Sequence, residues 1–118
     1  MEKLNAKKGA QERLRAAQKK VLSLSHRIHA NPELGFEEEK ACAWLCEELS
    51  EAGFNVKRGI CDLSTAFVAR AGNGPLHIAI CAEYDSLPEI GHACGHNMIA
   101  AMAGGLESQP RALRMTLD

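Results

Sequence analysis

Aromatic residues are scarce in this sequence: one Trp, one Tyr and three Phe, 4% of 118 residues. That leaves little of the stacking surface on which single-stranded nucleic acids are held. Neither sign of charge dominates, with 14 basic residues against 15 acidic and a net charge of −1. Nothing therefore marks nucleic acid or an anionic membrane as a partner. No apolar run nears the roughly 20 residues that span a bilayer, so no membrane segment is expected. The first 20 residues are charged and lack the apolar stretch of a secretory signal. They are basic, but Glu2, Glu12 and the scarcity of Ser argue against a mitochondrial presequence, and the expected location is cytoplasmic. The five cysteines are odd in number and form no CxxC pair. A disulfide framework is not expected, and most of Cys42, Cys46, Cys61, Cys81 and Cys94 should be reduced, buried small hydrophobes.

What is present is ordinary for one globular domain, with 46% hydrophobic and 25% charged residues. Across residues 10–30, Leu14, Ala17, Val21, Leu24 and Ile28 recur at steps of three and four, one face of a helix. Arg13, Arg15, Gln18, Lys19 and Lys20 take its wet side, and Asn31-Pro32 ends it. Residues 37–52 repeat the pattern with Ala41, Trp44, Leu45, Leu49 and Ala52, with acidic Glu37, Glu38 and Glu39 in the first turn and Gly53 placed to close the helix. The period then shortens to two. Strands are expected at 54–57, 64–71 and 76–82, the last the most apolar and hence central. A loop and a small-residue helix at 97–106 follow. The fold class is α/β, with two helices, about three strands and one further helix, and with a sheet left unfinished.

The chemistry concentrates in residues 82–97, AEYDSLPEIGHACGHN, which start where the third expected strand ends. In open α/β sheets ligands bind at that edge. Glu83, Asp85, Glu89, His92, Cys94 and His96 stand within it. Each has a bland reading on its own: Asp85 and Glu89 as surface charges, His92 as a hydrogen-bonded loop histidine, Cys94 as a buried thiol. Together they favour a metal, since a thiolate beside imidazoles selects first-row transition ions over Mg²⁺ or Ca²⁺. Gly95 permits the tight turn that would let Cys94 and His96 converge. Of Glu83 and Asp85, one can point into the site while the other turns away or orients an imidazole. Cys42 and Cys46, four apart on a helix, read as packing. His26 and His29 read as surface or structural, His77 as a core or edge residue, and Trp44 as core.

The runs HANPELGFEE (29–38) and AEYDSLPEIGHACGHN, with the helix–helix–strand order, resemble the M-twenty peptidase family. The likeness is to its amidohydrolase branch, which includes aminobenzoyl-glutamate hydrolases and cytosolic dipeptidase-like relatives, and it covers about residues 17–102. By that resemblance residues 1–118 are the N-terminal part of a phosphorylase/hydrolase-like zinc-peptidase catalytic domain. The family implies two divalent transition ions (Zn, Mn or Co), small amide or dipeptide substrates, and a possible homo-oligomer at full length. A metal-bridging water attacks the carbonyl, with a glutamate as general base. Carried over by position, Cys94 and His96 match metal ligands, Asp85 the supporting catalytic aspartate, and His92 a position outside the ligand set. Glu83 stands where related branches carry a histidine ligand and this one an acid.

The family's general-base glutamate and its remaining ligands match nothing after His96. Gly104-Gly105 are expected to weaken the last helix and Pro110 to bar its continuation. The expectation is an incomplete, inactive portion of such a hydrolase, arising by truncation, frameshift or fragmentation. The alternative is a small metal-binding or interaction module without catalysis. A redox role for Cys94 lacks a resolving cysteine nearby.

Overall fold

The computed structural model describes residues 2–107, with side chains described for 5–105. Helix α1 runs Glu2–Ala30, α2 Glu39–Glu51 and α3 His96–Glu107; strands β1 (Asn55–Arg58) and β2 (Phe67–Arg70) form an antiparallel ribbon. The register pairs Asn55 with Arg70 and Arg58 with Phe67. A short 3-10 turn, Ile60–Asp62, lies within the connection. The tail after Glu107, including Pro110, lies outside the described residues.

The core is a junction of three helices. Leu24 and Ile28 of α1 meet Ala41 and Leu45 of α2 and Ala100 and Ala101 of α3, with Val21, Trp44, Phe67 and Tyr84 packed around them. Only the second half of α1 enters this core. Its first half, with Leu14, is exposed and extends the helix well before residue 10, where the apolar stripe begins. The Arg27 guanidinium lies 5.1 Å over the Trp44 ring, and Lys20 reaches Glu48 at 2.7 Å, joining α1 to α2. That pair is largely exposed on the lysine side, so it adds little to stability.

The end of α2 follows its expected chemistry. Gly53 has φ 96°, its N–H bonds Ser50 O at 3.0 Å, and Phe54 N–H bonds Leu49 O at 3.0 Å. This is the Schellman closure, in which a left-handed glycine lets two orphan carbonyls find donors.

Three expectations need correction. The third strand, 76–82, does not form. Residues 71–83 are exposed throughout and engage no hydrogen bond among the described residues. Leu76 and Ile78 are 66% and 73% exposed. A strand exists only by pairing, and the ribbon offers this apolar run no bonded neighbour, so apolarity alone does not order it. With it His77 also lies exposed, neither in a core nor at an edge.

The second correction concerns Gly105, whose missing side chain is not only a weakness of α3 but a requirement of its packing. The helix passes through both glycines, and at Gly105 the missing side chain admits α1. A Cβ at Gly105 would come within 2.6 Å of Val21 Cγ2, and one at Gly104 within 3.5 Å of Leu45 Cδ2. The third concerns the cysteines. All five are free, but only Cys42 and Cys46 are buried, whereas Cys61, in the 3-10 turn, and Cys81 and Cys94 are exposed outside the helical core. No described helix is long and apolar enough to cross a membrane.

Candidate functional site

The segment 84–96 leaves the exposed run and enters α3, so its conformation rests on contacts with the helices. Leu87 and Gly91 exchange N–H···O bonds of 2.9 and 3.1 Å, closing a tight turn over Pro88, Glu89 and Ile90. Glu89 takes φ 67° and Gly91 φ 66°, the left-handed geometry such a reversal needs. Gly95, at φ 77°, accepts the Met98 and Ile99 N–H groups at 3.0 and 3.1 Å and so starts α3. Gly95 also has Met98 Cε 3.0 Å from where a Cβ would sit, so a side chain here would be both strained and crowded.

His96 opens α3, and its Nδ1 lies 2.8 Å from Asp85 Oδ1 and 3.1 Å from the Asp85 carbonyl oxygen. A backbone carbonyl can only accept, so Nδ1 carries the proton and donates. In the neutral ring this leaves Nε2 as the bare, ligand-competent nitrogen. A carboxylate behind an imidazole is the arrangement that fixes the tautomer and orientation of a metal-binding histidine.

His92 is buried, 8% exposed, and neither ring nitrogen closes a hydrogen bond of full geometry, although the Ile28 backbone acts on the ring. Its ring centroid lies 6.2 Å from that of His29, near the end of α1. Burial chiefly, then His29 and His96, hold its pKa below the ordinary value, with Asp85 and the Ile28 backbone pulling the other way. Sequence reasoning gave His29 no part in this neighbourhood. Cys94 is exposed, and so are Glu83 and Glu89. Among the described residues no three His, Cys, Asp or Glu side chains are gathered into a cluster that could hold an ion. The structure therefore brings Asp85 to His96, sets His92 within electrostatic reach of both, and leaves Cys94, Glu83 and Glu89 outside that pairing.

The supports around this pair were not legible in the sequence. Glu33 turns its carboxylate onto the start of α2, accepting Lys40 N–H and Ala41 N–H at 2.9 Å each. Its carbonyl accepts Ser86 N–H at 2.8 Å and Ser86 Oγ–H at 3.0 Å. Glu38 accepts the Thr65 hydroxyl at 2.7 Å, and the Tyr84 hydroxyl donates to the Thr65 carbonyl. Asn97 donates to Ser25 Oγ at 3.0 Å, tying α3 to α1. The Thr65–Glu38 and Asn97–Ser25 partners lie 27 and 72 residues apart in the chain, beyond any local period. The only trace was the run NPELGFEE, in which Glu33 carried no assigned role and Glu37 and Glu38 were expected only as first-turn acids of the second helix.

No protein-family model matches the chain. Curated proteins do. It is 39% identical over 105 residues to a mouse Xaa-Arg dipeptidase, an alignment covering 80% of this chain and 24% of the relative. It is 31% identical over 107 residues to a subunit of the p-aminobenzoyl-glutamate hydrolase of Escherichia coli, covering 76% and 22%. It is 32% identical over 88 residues to a hippurate hydrolase of Campylobacter jejuni, covering 63% and 23%. The class these similarities define is that of peptidases and amidohydrolases. Within it, the chain belongs to the M-twenty peptidase family, on the amidohydrolase side, and represents part of that family's length. It spans about a quarter of the length of the curated relatives it matches.

Proposed function

We propose that this chain forms part of a metal-dependent hydrolase of amide or peptide bonds, acting on small N-acyl amino acid, aminobenzoyl-glutamate or dipeptide substrates. The observation that carries this reading is the Asp85–His96 pair, with Nδ1 anchored at 2.8 Å and Nε2 left bare. The donor chemistry fits a divalent transition ion such as Zn, Mn or Co: the bare imidazole nitrogen of His96 and the exposed thiol of Cys94 would hold it. His92, buried with neither nitrogen in a hydrogen bond of full geometry, offers further polar capacity beside them. Such an ion would supply Lewis acidity toward an amide carbonyl and a lowered pKa for water. The chain's own residues do the positioning. Asp85 fixes the His96 ring, Gly95 sets the turn that carries Cys94 and His96, and the Leu87–Gly91 turn holds the loop beside them.

We take these residues to be short of a complete hydrolytic site, a reading supported by the lack of any cluster of three His, Cys, Asp or Glu side chains among the described residues. A general base is typically worth about 10²–10⁴ in rate. The chain taken alone is therefore expected to bind a divalent ion without appreciable turnover. The test is metal analysis of the purified chain beside turnover of N-acyl amino acids and dipeptides with added Mn²⁺, Co²⁺ or Zn²⁺. Failure to retain any ion would overturn the metal assignment. Chelator-sensitive turnover abolished by Cys94→Ala would overturn the incompleteness. A further reading, a metal-binding or interaction module without catalysis, draws on the exposed apolar run at 76–80, which could pair with another chain.

A further inference from the structure

We infer that Glu33 and Glu38 are positioning residues for the Asp85–His96 pair, acting from the 31–38 loop through both chain neighbours of Asp85. The inference rests on the reading of Asp85–His96 as the anchored half of the site, and it concerns what holds that pair in register.

Asp85 touches His96 with two atoms, its carboxylate oxygen and its own backbone carbonyl. Its main-chain position therefore matters as much as its side-chain rotamer. Yet Asp85 follows a stretch, 71–83, that is exposed and engages no hydrogen bond among the described residues. A residue at the end of such a stretch loses backbone freedom when it is held in place. The fixing comes from either side. Ser86, 6% exposed, gives both its N–H and its hydroxyl to the Glu33 carbonyl. The Glu33 carboxylate in turn grips two N–H groups of α2. Tyr84 gives its hydroxyl to the carbonyl of Thr65, itself 5% exposed, and the Thr65 hydroxyl binds Glu38, the residue just before α2. Both struts thus end at the start of α2, a packed element of the core, and Asp85 is suspended between them. The first and last glutamates of NPELGFEE, Glu33 and Glu38, are thereby explained, since they transmit the position of α2 to the carboxylate behind His96. Groups that orient a ligand in this way commonly govern metal affinity without touching the ion.

The experiment reads the His96 ring in the full chain without metal, by heteronuclear NMR at roughly pH 8, above the ordinary histidine range. Native protein should show the Nδ1–H tautomer at His96. Tyr84→Phe and Thr65→Val should each raise the Nε2–H fraction several-fold, while Thr65→Ser, which keeps the hydroxyl, should restore the native ratio. Thermal unfolding and the helical circular dichroism of each variant establish that it is folded. If Thr65→Val does not fold, Tyr84→Phe carries the test alone. Folded variants with an unchanged ratio would overturn the positioning role while leaving the site reading intact. A native protein lacking the Nδ1–H tautomer would overturn the site reading itself.

Discussion

Gly105 of α3 faces Val21 of α1 so closely that a Cβ on the glycine would stand 2.6 Å from Val21 Cγ2. Its neighbour Gly104 would meet Leu45 Cδ2 at an ordinary 3.5 Å. Two adjacent glycines in one helix should therefore respond oppositely to alanine. Replacing a helical glycine gains about 1 kcal/mol in propensity, whereas overpacking costs typically about 1–3 kcal/mol. Gly104→Ala should leave stability unchanged or raise it by up to about 1 kcal/mol. Gly105→Ala should lower it by about 1–2 kcal/mol, and Val21→Ala in the same chain should relieve part of that loss. Chemical denaturation of the single and double variants decides the matter; equal responses at the two glycines would contradict the packing.

The cysteines should divide sharply under native thiol labelling. Cys61, Cys81 and Cys94 are exposed and should react, while Cys42 and Cys46, 4.0 Å apart between sulfurs in the core, should be protected until the protein unfolds. Burial first, and then Cys42, push the Cys46 thiol up from an ordinary 9.0 to about 12. The folded value lies above the unfolded one, so this thiol's contribution to stability is intact below the ordinary 9.0 and is lost as pH rises from there toward about 12. Burial also shifts the Tyr84 phenol upward, adding a loss of the same sign at alkaline pH. Mass spectrometry after a short alkylation pulse, with denaturation midpoints across the alkaline range, checks both statements.

Glu33→Ala removes the acceptor of two N–H groups at the start of α2. Loss of a helix cap costs typically about 1 kcal/mol, with a range of about 0.5–2. Glu33→Gln, which keeps one acceptor oxygen, should cost less than Glu33→Ala. The order of the two denaturation midpoints is the readout, and a reversed order would mean that Glu33 does not cap α2.

Residues 71–83, exposed and without hydrogen bonds among the described residues, should be where limited proteolysis cuts first. A protease of broad specificity should cleave there well before it cleaves within α2 or the second half of α1. Protection of this segment in the isolated chain would mean that it is paired.

What the sequence made legible was local. The apolar stripes of α1 and α2, the Gly53 closure, the β1–β2 region and the start of α3 beside Gly95 each follow from residue types within a few positions. So did the placement of Asp85 and His96 in one neighbourhood. The third strand at 76–82 failed because a strand is a relation between segments: the run LHIAICA has the composition of a central strand and no hydrogen-bonded partner among the described residues. Gly104-Gly105 misled for a similar reason. Their cost to a lone helix is real, but at Gly105 the approach of Val21 reverses the balance, and that contact lies 84 positions away. Glu33 and Thr65 went unread, and Glu38 was read only as a first-turn acid, because their partners are set by the tertiary fold.

The most direct test of the proposed centre is a Co²⁺ titration of the full chain, followed by the near-ultraviolet charge-transfer absorption that marks a thiolate bound to cobalt. Native protein should develop the band. Cys94→Ser should abolish it, Cys42→Ser should leave it unchanged, and Asp85→Asn should weaken Co²⁺ binding by about 10–100-fold, as expected when the group behind a metal-binding imidazole is altered. A band that survives Cys94→Ser, or one lost equally in Cys42→Ser, would mean that other thiols hold the ion and that Cys94 and His96 are not its ligands.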